Sequence, residues 1–198
     1  MANSSTSLIC FTPCQDAYIA QYYPNTNFGC IPYLYTNLYK SSSDEYQSLI
    51  QFNLCSLDCN QIPPNSHITC AKLCLKIYRN EVPNKTRLYA YRIKQAWDEF
   101  SVTWDHKPAV DYSNPVGYVD VCSGYFGWVE MEIDYSLVQS WYNGCCPNYG
   151  LLLKCDEPCN SLIGFYSREF SDPDYWPRLM IYYYVNCCHN TNNNFTVS

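Results

Sequence analysis

From His67 to Arg79 the chain reads HITCAKLCLKIYR. Ala71, Leu73, Leu75 and Ile77 occupy alternate positions, with Lys72, Cys74, Lys76 and Tyr78 between them. A period of two over this length predicts a half-buried strand. The same reading applies to DAYIA (16–20), YLYTNLY (33–39), SLIQFNL (48–54), RLYAYRI (87–93), GWVEMEI (127–133), YGLLLKC (149–155), LIGFYSR (162–168) and RLMIYYYV (178–185). Between them stand YPNTNFG, IPPNS, VPNK, DYSNPVG and FSDPDYWP, rich in the Pro, Asn, Asp and Gly that turns require. Short strands with turn signals between them predict an all-β protein, an antiparallel β-sandwich or barrel. One stretch, DYSLVQSWYNG (134–144), has helical spacing. Leu137, Val138 and Trp141 would face the sheet, and Gly144 would end the helix.

Both ends break the pattern. Residues 1–15 and 186–198 are short, polar and cysteine-bearing, so we divide the chain into an N-terminal arm (1–15), a sandwich domain (16–185) and a Cys/Asn-rich tail (186–198). The length of 198 residues suits a single core. A formal charge of -6 with no Lys/Arg-rich run argues against nucleic acid as a partner. No apolar run approaches the 18 or so residues of a membrane span. The opening MANSSTSLICFTPC has no basic region ahead of a long apolar stretch, so it does not read as a secretory signal.

The 14 cysteines change the picture most. Four pairs, Cys10/Cys14, Cys55/Cys59, Cys70/Cys74 and Cys155/Cys159, share a C-x3-C spacing that fits structural zinc only loosely. On a strand, four residues span about 13 Å. Cys70 and Cys74 therefore share a face without reaching the roughly 7 Å that a disulfide allows, and each needs a partner elsewhere. Internal disulfides are expected among Cys30, Cys55, Cys59, Cys70, Cys74, Cys122, Cys145, Cys146, Cys155 and Cys159. Cys10 and Cys14 precede the first predicted strand, and Cys187 and Cys188 follow the last. These four can staple the arms to their own domain or bond a neighbouring subunit. This cysteine load suits an oxidising extracellular, cell-surface or spore-surface setting.

Candidate chemistry is sparse. The three histidines, His67, His106 and His189, lie apart in the sequence, and no nucleophile elbow occurs. Glu130, Glu132 and Asp134 alternate on VEMEID. They are either a carboxylate constellation of glycosidase type or a solvated strand face. Asp98, Glu99 and Asp105 cluster around WDEFSVTWDHKP. Asp16, Asn25 and Asn27 offer hard oxygens near Gly29. They form either a calcium site unlike an EF-hand or a turn held by Asn side chains. No other cofactor is expected, and no enzyme activity. Aromatic side chains that could stack on a sugar include Tyr22, Tyr23, Trp97, Trp104, Trp128, Trp141 and Trp176. Trp104 and Trp141 suit the core, and Trp176, in a Pro-bounded loop, suits the surface.

The order of several motifs resembles the DNRLRE domain family, a bacterial and archaeal β-sandwich module of surface and secreted proteins. The motifs are DAYIAQYYPNTNFG (16–29), SLIQFNLCSL (48–57), IPPNSHITCAKLCL (62–75), WDEFSVTWDHKP (97–108), VQSWYNGCCPNYGLLLKC (138–155) and FYSREFSDPDYWPRLMIYY (165–183). The resemblance implies a jelly-roll-like sandwich in which Asp16, Asn27 and Gly29 shape the opening turn. Ser167, Arg168 and Glu169 match the closing SRE. Gln51 and Asn53 depart from the usual pattern, as does the cysteine load. Some relatives look like carbohydrate-binding modules, and others are repeated parts of surface proteins. Two functions follow as expectations. The first is a self-assembling, disulfide-cross-linked homopolymer subunit of a surface fibre or spore appendage. The alternative is a carbohydrate-binding module with polysaccharide as its partner.

Overall fold

The computed structural model describes residues 5–54, 61–155 and 160–185. These form eleven strands: β1 (Ser7–Phe11), β2 (Gln15–Ala20), β3 (Tyr33–Leu38), β4 (Glu45–Gln51), β5 (Ser66–Asn80), β6 (Thr86–Ile93), β7 (Val110–Val121), β8 (Gly127–Ile133), β9 (Leu151–Cys155), β10 (Ile163–Tyr166) and β11 (Arg178–Val185). One α-helix, α1 (Tyr135–Tyr142), and a 3₁₀ turn, Pro173–Tyr175, complete them. The pairings are antiparallel. From β5 they run through β10, β3, β4, β9, β6, β7 and β8 and return to β5, so the sandwich closes into a barrel-like shell. β11 extends from β5 with β1 at its outer edge, and β2 lies beside β4. The all-β expectation holds. Closure leaves few strand edges unpaired.

Alternation along β5 works as the pattern requires. Ala71, Leu73, Leu75 and Ile77 join Leu34, Ile50, Leu88, Met131, Leu151, Leu153, Phe165 and Leu179 in the main core. α1 closes one end of it. Asp134 caps the helix by accepting a hydrogen bond from the Ser136 amide at 2.9 Å. Leu137, Val138 and Trp141 turn inward. Gly144 follows with a φ of 69°, the left-handed conformation that ends helices cheaply only at glycine.

A second apolar cluster lies on the other side of the β2–β4–β9–β6 wall. It contains Ala17, Ile19, Leu49, Tyr91, Ile93, Val102 and Leu152. This wall is dry on both faces, which is why SLIQF and GLLLKC read as continuous apolar runs rather than as strict alternation. Residues 94–109, between β6 and β7, supply the cover, with Trp97 and Trp104 packed on the cluster. The cover is pinned by named contacts. The Trp97 indole N–H donates to the Tyr149 carbonyl at 2.9 Å. The Asn27 amide donates to the carbonyls of Glu99 and Val102, each at 2.8 Å. A Cβ on Gly29 would sit 2.1 Å from the Glu99 carbonyl oxygen, so only glycine lets the segments approach this closely.

Two elements differ from the sequence expectation. Ser7–Phe11 is not an arm outside the domain. As β1 it pairs with β11, and Phe11 enters the core. Its apolar SLICF has a ready partner in the otherwise open edge of β11. DYSNPVG is not a turn but the middle of β7. Pro115 is tolerated because the β6–β7 register shifts around Tyr91, opposite it, and a proline needs no ladder hydrogen bond at such an irregularity.

Leu152 and Leu153 point to opposite clusters, and both are fully buried. Each substitution to Ala is expected to cost about 2–5 kcal/mol in urea unfolding. A loss at Leu152 within about 0.5 kcal/mol of zero would show that the outer face of this wall is wet. Asn27→Ala leaves two carbonyls without their donor and is expected to cost about 1–3 kcal/mol. Limited proteolysis should then cut first between residues 94 and 109.

Candidate functional site

The opposite wall, β11–β5–β8, packs its inner face into the main core and leaves most of its outer face half-buried or exposed. Register places Arg178 and Glu130 on either side of Cys74, and Trp128 beside Lys76. The outward positions of these strands therefore carry Arg178, Met180, Lys72, Cys74, Lys76, Tyr78, Trp128 and Glu130. Tyr33 and Tyr35 on β3, Tyr166 on β10 and Tyr175 of the 3₁₀ turn extend this face.

The rings form a continuous array. Tyr33 stacks on Tyr78 at 4.3 Å between centroids, Tyr78 meets Tyr166 at 5.3 Å, and Tyr166 stacks on Tyr175 at 5.0 Å. The Lys76 ammonium lies 4.0 Å over the Tyr175 ring and 5.8 Å from Trp128, whose other neighbour is the Arg178 guanidinium at 5.3 Å. In the other direction Tyr35 meets Tyr18 at 5.1 Å, Tyr18 stacks on Phe28 at 4.3 Å, and Phe28 leads through Tyr23 to Tyr22. Most of these rings are half-buried, whereas Tyr22 and Tyr23 are exposed. The hydroxyls of Tyr78 and Tyr35 are hydrogen-bonded to each other. Burial pushes the Tyr78 and Tyr18 phenols up, so they stay neutral. Beside Trp128 lies a shallow cavity of about 210 Å³ lined by Cys74, Glu130, Arg178 and Met180. Flat apolar ring faces with hydroxyl, ammonium and guanidinium groups at their rims suit a ligand that has apolar faces and a polar edge.

The sequence-predicted residues divide accordingly. Tyr22 and Tyr23 stand at one end of the array. Trp176 is half-buried rather than exposed, because its indole N–H donates to the Phe170 carbonyl at 2.7 Å. Trp141 is in the core, and Trp104 packs on the second cluster under the Lys107 ammonium, 3.7 Å from its ring. Sequence reading missed Tyr33, Tyr35, Tyr78, Tyr166 and Tyr175 as a group. The available signal was their recurrence at outward strand positions. Glu130, Glu132 and Asp134 form no constellation. Glu130 pairs with Lys72 at 3.0 Å, and Asp134 is the helix cap. His67 stacks on Tyr184, and His106 lies near Thr103.

No two described cysteines are joined. Cys10, Cys14, Cys30, Cys70, Cys74, Cys122, Cys145 and Cys146 are thiols, whereas Cys55, Cys59, Cys159, Cys187 and Cys188 lie outside the described residues. Cys155 is buried, with its sulfur 3.6 Å from the Thr36 hydroxyl. Cys70 and Cys74 share a face, as the strand period requires. The neighbour of Cys74 is the Met180 sulfur at 3.4 Å. Burial pushes the Cys74 thiol up to about 11 and raises Cys10 and Cys14 as well. Such groups are poor nucleophiles at neutral pH.

At one end of β2, three carboxylates converge. Asp16 and Glu99 are buried, and Glu169 is half-buried. Glu99 accepts the Asp16 amide at 2.8 Å, and Asp16 accepts the Arg168 amide at 3.0 Å. Arg168 also approaches Glu169 at 3.1 Å and donates to the Cys14 carbonyl. Burial, then the charge of Glu169, holds the Asp16 carboxyl well above the usual range. Burial raises Glu99 also. Asn27 belongs to the staple on the cover segment, and Asn25 is exposed. Of the three residues expected at an ion or turn site, only Asp16 enters this cluster.

Among known families, residues 8–183 match carbohydrate-binding module family 96. The match falls on that family and not on the DNRLRE domain that the motifs resemble. The two agree on a module of carbohydrate-binding type. No curated protein matches the chain. The match includes most of β1, most of β11 and everything between them, and the chain belongs to carbohydrate-binding module family 96.

Proposed function

We propose that this chain binds a polysaccharide along the outer tyrosine face, without catalysing its cleavage. The observation that carries the reading is the series of half-buried rings from Tyr33 through Tyr78 and Tyr166 to Tyr175, which Lys76 links to Trp128, on the outer side of this wall. Sugar rings present C–H faces to aromatic planes and hydroxyls to the rim. Lys76, Arg178 and the tyrosine hydroxyls supply donors and acceptors there. The rings are held by strand register and by each other, so little side-chain freedom is lost on binding. A secreted or surface setting fits such a partner. The disulfide-linked fibre has less support. The described cysteines are not joined to one another, and the segment offered to a neighbouring subunit is β1 of the chain's own sheet.

Binding is tested by retention of the protein in native gels cast with a panel of soluble polysaccharides, followed by calorimetry on any that retard it. Trp128→Ala and Tyr175→Ala are each expected to weaken binding at least tenfold, about 1.4 kcal/mol, with the unfolding midpoint little changed. Equal binding by both variants, or no retardation across the panel, would reject the outer face as the site.

A further inference from the structure

We infer that Asp16, Glu99 and Glu169 form a binding site for a calcium-like divalent cation, which ties the cover segment to β2 and to the turn before β11. The three residues come from separate parts of the chain. Asp16 is in β2, Glu99 is in the segment that covers the second apolar cluster, and Glu169 follows β10. One oxygen from each lies within 4.8 Å of the others. Oxygens on one calcium ion are at most about 4.6–5.2 Å apart, from bond lengths of 2.3–2.6 Å, so these pairwise separations are compatible with a shared ion.

A second observation points to a ligand independently. Asp16 is only 1% exposed, and its Oδ1 is sealed from solvent with no hydrogen-bond partner among the described residues. Its Oδ2 is already used, accepting the Arg168 amide. A buried carboxylate oxygen without a donor is costly, and a hard cation is the partner such an oxygen suits. Charge leads the same way. Three carboxylates face one guanidinium, that of Arg168, whose Nη1 stands 3.9 Å from the Glu99 Oε2. If all are ionised, two negative charges remain, the amount one divalent cation neutralises. Burial raises the Asp16 and Glu99 carboxyls, and a bound cation would offset that cost. Glu169, half-buried, gives an entry path and leaves room for water to complete the coordination shell.

The competing account is a proton shared between the carboxyls of Asp16 and Glu169. The two are separated on the full chain after dialysis against a chelator. Calcium is titrated by calorimetry, and terbium is used as a luminescent probe excited through the protein's aromatic rings. One saturable site is expected. The unfolding midpoint should rise by about 5–10 °C at calcium a hundredfold above its Kd. Glu169→Gln, at the half-buried edge of the site, should fold without metal and bind calcium at least tenfold more weakly. Asp16→Asn should abolish binding. With calcium bound, residues 94–109 should resist proteolysis longer than in chelator. An unchanged midpoint in calcium and chelator, together with no calcium heat and no terbium signal, would overturn the site. So would calcium binding that Glu169→Gln leaves unaltered. Either result would leave the shared proton as the neutralising group.

Discussion

A sheet wall that is apolar on both sides must be covered twice. β4 and β9 carry Leu49 and Leu152 outward as firmly as Ile50, Leu151 and Leu153 inward. The inner set meets the opposite wall. The outer set has only the 94–109 segment, which is irregular and brings backbone polar groups onto an apolar surface. The fold therefore depends on how that segment is held. Asn27 takes two of its carbonyls, Gly29 lets the backbones touch, Trp97 anchors its start on Tyr149, and Glu99 reaches the β2 backbone at Asp16. Each contact joins residues far apart in sequence, so closing the cover also ties it to the start of β2 and to the segment before β9.

The two outer faces thus have opposite fates. One is sealed by the chain itself. The other, on β11–β5–β8, stays accessible and carries polar and aromatic side chains in place of leucines. Its tyrosines are arranged by the same period-two rule that sends Leu73 and Leu75 into the core. Each ring of the proposed recognition surface is set by strand register and by contact with its neighbours, which makes that face stiff. A cover segment that loosened would disturb the sealed face first and the aromatic face only through the shared core.

Strand identity was largely legible because β5, β8 and β11 bury one face and leave most of the other half-buried or exposed. Where both faces are buried, as in GLLLKC, the sequence shows a strand but not what covers its second side. β1 was hidden by its brevity, since SLICF becomes a strand only when the edge of β11 is there to receive it. β7 was hidden by Pro115, whose tolerance depends on a register shift that only the paired strand reveals. The site was harder still. Glu99 and Glu169 lie 70 residues apart, and no local pattern brings either to Asp16. Individual tyrosines were visible, but their alignment across β3, β10, β5 and the 3₁₀ turn depends on pairing order.

The cysteines of β5 show what spacing alone leaves open. A C-x3-C pair on a strand presents two sulfurs to one face, and the same pattern serves cross-linking or packing. Cys74 packs. It is buried against Met180, its thiol is raised by burial, and both residues line the cavity beside Trp128. Sulfur is soft and polarisable, and it fills irregular space next to an aromatic ring at little cost. On this face, therefore, the sulfur-bearing residues pack beside Trp128. That is the role a small apolar side chain would have there.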